Sequence, residues 1–293
     1  MNQFNNCFMP QVSLLFFQKL RLCLLFSVLT VVSTLSHAVA YGADNSYSEY
    51  APDVRRIISR GFLIVAMPKT DNAPFYYERN GQMLGLEVDI VRGFAKELGV
   101  QMRFYRNAKN QDEVIDVIAK GEADIGIGKL SRTFKRASKV RFSDPYLTMH
   151  HALALNQLRI NQLAKGSTVP AELQRFSGSI AVLENTAYAD LAYQNFPHAK
   201  IIKFNNWISA VSSIKEGRID ALYRDEFEIK RLIKADSRNS LIMKTVIFTD
   251  LDASISFAMR HDCLQLLSLL NIYLSQETHP MTVSKLMKLL PTT

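Results

Sequence analysis

Cysteine is scarce in this sequence: the 293 residues contain three, and two of them, Cys7 and Cys23, lie in the first 40 residues. We expect those 40 residues to be removed as described below, which leaves Cys263 and no internal disulfide. The leucines around Cys263 predict that it is a small buried apolar group. A chain without a disulfide depends on its core, and an apolar content of 48% is sufficient to form one.

Patterns of catalysis and metal binding are also missing. The sequence has no G-x-S-x-G, H-E-x-x-H or phosphate-loop motif. No histidine or cysteine stands at metal-ligand spacing, since His150 and His151 are neighbours that point in different directions on a strand. The formal charge of +8 is spread over short clusters such as Arg55-Arg56. We therefore expect no enzyme, no metal or cofactor, and no nucleic-acid partner.

The first 40 residues have the order of an export signal. Lys19 and Arg21 precede an apolar run over 22–35, and the segment ends on the small residues Ala38-Val39-Ala40. The run is short for a membrane-spanning helix, which needs about 20 apolar residues. We expect residues 1–40 to be a cleaved signal peptide and the protein to be periplasmic. The alternative is an uncleaved amino-terminal anchor.

Two parts of the remaining chain repeat one order of strands and helices. The predicted strands span 62–67, 101–105, 124–128, 179–183, 200–204 and a run that opens at Asp220. The predicted helices span 91–98, 114–118, 187–195 and 207–214. This alternation predicts an α/β fold with mostly parallel sheets flanked by helices. Two such lobes leave a cleft, and ligands in open α/β sheets bind beyond the carboxyl ends of strands.

Polar groups follow the predicted strand ends in the first half. Asn72 and Phe75 lie on the loop after the first strand, where the ring of Phe75 either faces a ligand or caps the core. Lys129 and Ser131 follow the strand at 124–128, and Thr133 can cap a short helix that carries Arg136. A guanidinium beside a hydroxyl suits a carboxylate. Composition leaves Arg132, Lys135 and Arg136 as equal candidates for that role.

The second half offers a complementary set. Asn185 and Thr186 join a strand to a helix whose first N–H groups and dipole favour an anion. Asp225 follows the strand that opens at Asp220, and its carboxylate either accepts from an ammonium or caps the next helix.

An ordered set of motifs carries a family resemblance. The motifs are Ala73-Pro-Phe75, Gly85-Leu-Glu-Val-Asp89, Gly121-Glu-Ala-Asp124, Leu130-Ser-x-Thr133-x-x-Arg136 and Phe142-Ser-Asp-Pro-Tyr146. With them the chain resembles the periplasmic solute-binding proteins of amino-acid ABC transporters, the bacterial extracellular solute-binding proteins of family 3. The resemblance implies the type II two-lobed fold with a ligand cleft between the lobes. Lobe 1 would comprise 50–149 plus 250–293, and lobe 2 would comprise 150–249.

The resemblance also implies roles for the site residues. Arg136 would bind the α-carboxylate of the ligand with help from Ser131 and the N–H of Thr186. Asp225 would hold the α-ammonium.

The chain departs from the family pattern at three positions, which leaves the side-chain preference open. Lys129 stands where the family usually has a small residue, an aromatic that covers the ligand is replaced near Asn72, and Tyr188 stands where smaller polar residues are common. A lysine beside the cleft favours an acidic ligand, unless its side chain turns to solvent.

The function implied is non-enzymatic: a monomer that binds a small polar solute, an amino acid or small carboxylate, and delivers it to the membrane permease of an ABC transporter. A receptor module that reports occupancy to a membrane partner would use the same pocket. The fold also resembles cyclohexadienyl dehydratases and part of a membrane-bound lytic transglycosylase. A dehydratase needs a proton-donating acid in the cleft, for which Glu184 is the candidate besides Asp225.

Export gives a direct test. If residues 1–40 are a cleaved signal, amino-terminal sequencing of the periplasmic protein should begin at Val39 or Tyr41. Recovery of the full-length chain in the membrane fraction would support the anchor instead.

Overall fold

The computed structural model describes residues 49–158, 176–277 and 281–290, so the predicted signal at 1–40 lies outside the described residues. The strands are β1 (Phe62–Pro68), β2 (Tyr77–Arg79), β3 (Gln82–Leu84), β4 (Gln101–Ala108), β5 (Ile125–Gly126), β6 (Arg141–Phe142), β7 (Leu147–Asn156), β8 (Ser179–Leu183), β9 (Lys200–Phe204), β10 (Ala221–Asp225), β11 (Met243–Ile255) and β12 (Ala258–Met259). The helices are α1 (Pro52–Arg60), α2 (Leu86–Glu97), α3 (Gln111–Lys120), α4 (Phe134–Ala137), α5 (Ala187–Asn195), α6 (Trp207–Lys215), α7 (Glu226–Ala235), α8 (Asn239–Ile242), α9 (Leu264–Glu277) and α10 (Val283–Lys288).

The first sheet has the strand order β4-β1-β5-β12-β6. Strand β1 pairs in parallel with β4 and β5, whereas β12 runs antiparallel to β5 and β6. Alternate residues of β1 face opposite layers: Leu63, Val65 and Met67 pack with α1, α2 and α9, and Ile64 and Ala66 pack with α3. A strand covered on both faces requires this continuous apolar sequence.

The second sheet has the order β11-β7-β10-β8-β9. Strand β8 is parallel to β9 and β10, and β7 is antiparallel to β10 and β11. Ile180 and Val182 of β8 face the core formed with α5, and Ala181 faces the core formed with α6 and α7. Each sheet with its helices is called a lobe below, the first lobe being built on β1 and the second on β8.

The predicted fold class, two lobes of helix-flanked α/β sheet, is confirmed. Strands 179–183 and 200–204 and helix 187–195 coincide with β8, β9 and α5. Each sheet is parallel over three strands. The antiparallel strands β6 and β12 were not predicted, because a strand of 2 residues is too short to show a periodic pattern. The lobe boundaries at 149/150 and 249/250 fall within β7 and β11, and the division stays a prediction.

The predicted strand 124–128 is shorter than expected. Strand β5 ends at Gly126, the N–H of Ile127 still donates to the carbonyl of Ala66 at 2.8 Å, and the backbone then turns, with φ of 141° at Gly128 and 55° at Lys129. This turn directs the chain toward the second lobe. Cys263 is buried as predicted. In the part of the chain that the structure describes, no helix combines the length and the apolarity needed to cross a membrane.

The start of α2 is fixed by a glycine. Gly85 has φ 120° and ψ 166°, a conformation essentially restricted to glycine. A Cβ added there would lie 2.5 Å from the carbonyl oxygen of Phe75. The N–H groups of Leu86 and Glu87 donate to the carbonyls of Pro74 and Phe75, at 2.9 and 3.0 Å. The close approach docks α2 on the loop after β1.

Gly85→Ala should therefore destabilise the protein by about 3 kcal/mol or more, since backbone strain and a backbone clash add. Gly81→Ala is the matched control, because Gly81 has φ 74° but nothing within 4 Å of an added Cβ. Its cost should stay at about 1–2 kcal/mol. Urea denaturation followed by circular dichroism measures both, and equal losses would contradict the close approach.

Candidate functional site

The carboxyl ends of β5, β8 and β10 meet between the lobes. A cavity of about 20 Å³ lies there, with room for about one water molecule. Its lining consists of Gln111, Lys129, Ser131, Arg136, Thr186, Ala187, Tyr188, Arg224 and Asp225. The structure thus brings together most of the predicted site residues, which come from both halves of the chain.

A larger open groove, of about 1190 Å³, lies on the first lobe between α2, β3 and β4. Its lining includes Gly61 and Gln101, at the amino ends of β1 and β4. Ligands of open α/β sheets bind at the opposite, carboxyl ends. The small cavity is therefore the candidate site.

Lys129 joins the two lobes. Its Nζ lies 3.0 and 2.9 Å from the carboxylate oxygens of Asp225 and 2.9 Å from Oε1 of Glu228. The three side chains are 5%, 1% and 3% exposed. These three oxygens equal the number of hydrogens on an ammonium. The alternative that Lys129 turns to solvent is wrong.

The two carboxylates lie at the start of α7. Asp225 caps this helix, since its Oδ1 accepts from the N–H of Glu228 at 3.0 Å, as one of its two predicted roles required. Burial alone would raise the pKa of Glu228, but the positive charges of Lys129, Arg224 and Arg231 outweigh burial and lower that pKa to about 2. Glu228 is therefore ionised at neutral pH. It was not among the predicted site residues.

Aromatic rings flank the ammonium of Lys129. The rings of Phe75 and Phe227 pack edge to face with their centroids 5.5 Å apart, and Nζ lies 5.1 Å from each centroid. Such distances permit cation–π attraction. Phe75 is fully buried in the core of the first lobe, so the second of its two predicted roles is the one observed.

Glu87 holds the turn that carries Lys129. This fully buried carboxylate on α2 accepts from the N–H groups of Gly128 and Lys129, at 3.1 and 2.9 Å, and from the hydroxyl of Tyr146 at 2.7 Å. Burial raises the pKa of Glu87, and these hydrogen bonds oppose the rise. An acid at a helix start is explained locally by the helix dipole, so this contact could not be read from the sequence.

Arg136 is the buried member of the three predicted candidates. Thr133 caps α4 as predicted, accepting from the N–H of Arg136 at 3.3 Å. The side chain of Arg136 is 5% exposed, whereas Arg132 is exposed and the side chain of Lys135 is 62% exposed. Of the three candidates, Arg136 is therefore the one that is buried and lines the cavity. Composition alone could not distinguish it from the other two.

Asp112 orients this guanidinium. Its Oδ1 accepts from Nε of Arg136 at 2.9 Å and lies 2.8 Å from Nη2, and the carbonyl oxygen of Ser131 accepts from Nη1 at 3.3 Å. A guanidinium has five N–H groups. Two of them donate hydrogen bonds and a third is directed to Asp112 in the ion pair. The other two, one on each terminal nitrogen, have no partner among the described residues and are enough for one carboxylate. Asp112, in the first turn of α3, was not predicted.

The second lobe supplies the opposite wall. Thr186 begins α5, and its hydroxyl donates to the carbonyl of Leu183 at 2.7 Å rather than capping the helix. Asn185 has φ 59°, is exposed and lies outside the cavity lining. Asn72 also lies outside it, because its backbone closes a turn with Phe75 and Tyr76.

Two buried donors in the lining have no hydrogen-bond partner among the described residues: the hydroxyl of Tyr188 and Nε of Arg224. The guanidinium of Arg224 lies 5.2 Å from the ring centroid of Trp207, and its Nη2 lies 3.8 Å from Glu228. Burial raises the pKa of Tyr188 well above its usual value, so the hydroxyl keeps its proton. Buried polar atoms are normally satisfied, so both groups point to polar ligand atoms. Arg224 was not predicted, although it precedes Asp225 at the end of β10.

Comparisons with known proteins agree with this architecture. The family model of the bacterial extracellular solute-binding proteins, family 3, matches residues 63–288, and the chain belongs to this family. The glutamine-binding protein of Geobacillus stearothermophilus is 28% identical over 203 residues, which are 66% of this chain and 71% of that protein. The crystal structure of an ancestral amino-acid-binding protein, a precursor of cyclohexadienyl dehydratase, has a TM-score of 0.63 and 28% identity, over 81% of this chain and 98% of that one.

An enzyme is also among the relatives. The membrane-bound lytic murein transglycosylase F of Methylobacillus flagellatus is 30% identical over 170 residues, which are 53% of this chain. The match spans 34% of the length of that enzyme. Membership of the family directly supports the binding of a small solute by this chain.

Removing the hydroxyl of Tyr146 tests how much its hydrogen bond to Glu87 contributes to the stability of the protein. Tyr146→Phe should lower the free energy of unfolding by about 1.5–3 kcal/mol, as expected for a hydrogen bond to a buried charge. The loss should be larger at about pH 8 than at about pH 5, because the hydrogen bond favours the ionised form of Glu87 and that form predominates at higher pH.

Tyr77→Phe is the control, since the hydroxyl of this half-buried tyrosine on β2 makes no hydrogen bond to a described residue. It should change stability by less than about 0.5 kcal/mol. Urea unfolding of both variants at the two pH values provides the comparison. Equal losses at the two pH values for Tyr146→Phe would contradict the expected change in the charge of Glu87 between them.

Proposed function

We propose that the protein binds a small carboxylate-bearing solute between its lobes and delivers it to the membrane permease of an ABC transporter. The observation that carries the proposal is the buried guanidinium of Arg136, which is held by Asp112 and keeps two N–H groups beside the cavity. The family and the glutamine-binding relative support a solute-binding role. In this proposal the protein is a periplasmic monomer, exported by the signal at 1–40.

Ligand entry requires the lobes to separate, since about 20 Å³ is too small for a molecule of several heavy atoms. The contacts that would open include Lys129 with Asp225 and the hydrogen bond from Arg231 Nη1 to the carbonyl of Ala73, at 3.1 Å. When the lobes separate, the charged groups of these contacts become hydrated. The ligand would then be enclosed as the lobes close.

A binding protein fits the site better than an enzyme does. Glu184, considered as a proton donor, is exposed and lies outside the cavity lining. The surrounding positive charges keep Glu228 ionised, with a pKa of about 2, so it cannot donate a proton near neutral pH. Asp225 accepts from Lys129. The relatives that are enzymes therefore do not lead us to propose catalysis for this chain.

A panel of amino acids and small carboxylates tests solute binding through thermal stability. At a hundred times the dissociation constant, a ligand stabilises the folded protein by roughly 2.7 kcal/mol. Calorimetry then gives the affinity of each ligand found. A panel that shifts nothing would contradict the proposed function.

Arg136→Ala should weaken binding of that ligand roughly thirtyfold to several-thousandfold, because a carboxylate loses its charged partner in a buried site. Arg136→Lys should also bind poorly, since an ammonium cannot form two parallel hydrogen bonds. Arg132→Ala and Arg132→Lys are matched controls on the same loop, where the side chain is exposed. They should bind within about threefold of the parent. Equal effects at the two arginines would exclude Arg136 as the carboxylate partner.

A further inference from the structure

We propose that Lys129 supplies the ammonium of this site and that the ligand is consequently a small acid without an α-amino group. The inference rests on the proposed function, solute binding at this cavity, and names the class of solute. Asp225, the residue expected to hold a ligand ammonium, already has an ammonium within 3.0 Å of both its carboxylate oxygens. That ammonium belongs to the protein.

The surroundings of Lys129 leave no space for a second ammonium. Its three hydrogens face three carboxylate oxygens, and the rings of Phe75 and Phe227 lie on its other sides. A ligand ammonium would have to displace Lys129 from its place between Asp225 and Glu228. With the lobes closed, the displaced ammonium of Lys129 would be a buried charge without a partner, and this is strongly unfavourable.

The local charge also opposes an additional cation. The carboxylates of Asp225 and Glu228 carry two negative charges. Lys129 lies between them, Nη2 of Arg231 contacts Glu228, and Nη2 of Arg224 is 3.8 Å from the same carboxylate. Three cations thus surround two anions, and no net negative charge remains to attract an ammonium.

The buried groups of the cavity lining that lack a partner among the described residues are hydrogen-bond donors. Arg136 keeps two N–H groups, and Nε of Arg224 and the hydroxyl of Tyr188 are buried without a partner among the described residues. Donors select acceptor atoms. One carboxylate would bind Arg136, and a second oxygen-rich group, such as another carboxylate or a keto oxygen, would bind Arg224 and Tyr188. Dicarboxylates and 2-oxo acids have this chemistry.

The main experiment compares acids that differ by the α-amino group, with the unmodified protein and isothermal titration calorimetry. The pairs are succinate and aspartate, glutarate and glutamate, and 2-oxoglutarate and glutamate. We expect the acid without the amino group to bind at least tenfold more tightly in at least one pair, and the amino acid to be preferred in none. An amino acid that binds as tightly as its partner or more tightly overturns this inference while the proposed function stands. If no acid of either kind binds, the proposed function itself fails and the inference fails with it.

Lys129→Ser tests the source of the preference. With the ammonium removed, Asp225 and Glu228 can accept a ligand ammonium, so the preference should move toward the amino acid by at least tenfold. Lys129→Met keeps the aliphatic stem and provides a second variant if the serine variant does not fold. Lys139→Ser is the control, because Lys139 is 51% exposed and pairs with Asp116 away from the cavity.

A preference that is unchanged in a folded Lys129 variant would show that another group excludes the amino acid, and would overturn the role of Lys129. Should neither variant fold, the preference of the unmodified protein decides the class of ligand.

Discussion

One lysine ammonium and two carboxylates lie together between the lobes, away from water. Burial of any one of these charges alone would be prohibitive, so each depends on the others: Lys129 neutralises Asp225 and Glu228, and Arg224 and Arg231 complete the balance. Because the lysine follows a strand of the first lobe and the carboxylates begin a helix of the second, this ion cluster also fixes how the strand ends of the two lobes face each other.

The position of Lys129 is set by contacts far from it in sequence. Glu87 binds the N–H groups of Gly128 and Lys129 and so stabilises a turn with positive φ at both residues. Glu87 in turn depends on Gly85, whose conformation allows α2 to begin against the carbonyl of Phe75. The backbone conformation of Gly85 thus affects the position of Lys129, because Gly85 positions the carboxylate of Glu87 and Glu87 binds the turn that carries Lys129. The same helix packs in the core of the first lobe, which gives the site a rigid base.

Local patterns in the sequence were sufficient for much of the fold. The periodicity of β8, α5 and β9 determined their limits, and Thr133 was recognised as a helix cap. Local patterns did not choose among Arg132, Lys135 and Arg136; the family resemblance implied Arg136, which is the buried one.

The residues that the sequence did not reveal share a physical reason. Glu87, Asp112 and Glu228 each lie in the first turn of a helix, where an interaction with the helix dipole already explains an acid. Their partners are distant: 99 positions separate Lys129 from Glu228. A periodic pattern reports which face of an element is buried, but it does not report which charge will lie opposite. The orientation of Lys129 was therefore open until the fold brought the acids to it.

The two charged residues expected to hold a zwitterion are both paired within the chain, but the pairs are not equivalent. Arg136 is bound by Asp112, whose side chain is 32% exposed, and two N–H groups of Arg136 have no partner in the part of the chain that the structure describes. A carboxylate can therefore be added without breaking that pair. Asp225 is bound by Lys129, which is 5% exposed and directs its three hydrogens to carboxylate oxygens, so an ammonium can be added only by breaking the pair. The cleft of this protein therefore has N–H groups that can bind a ligand carboxylate, whereas the ammonium of Lys129 occupies the position where a ligand ammonium would bind.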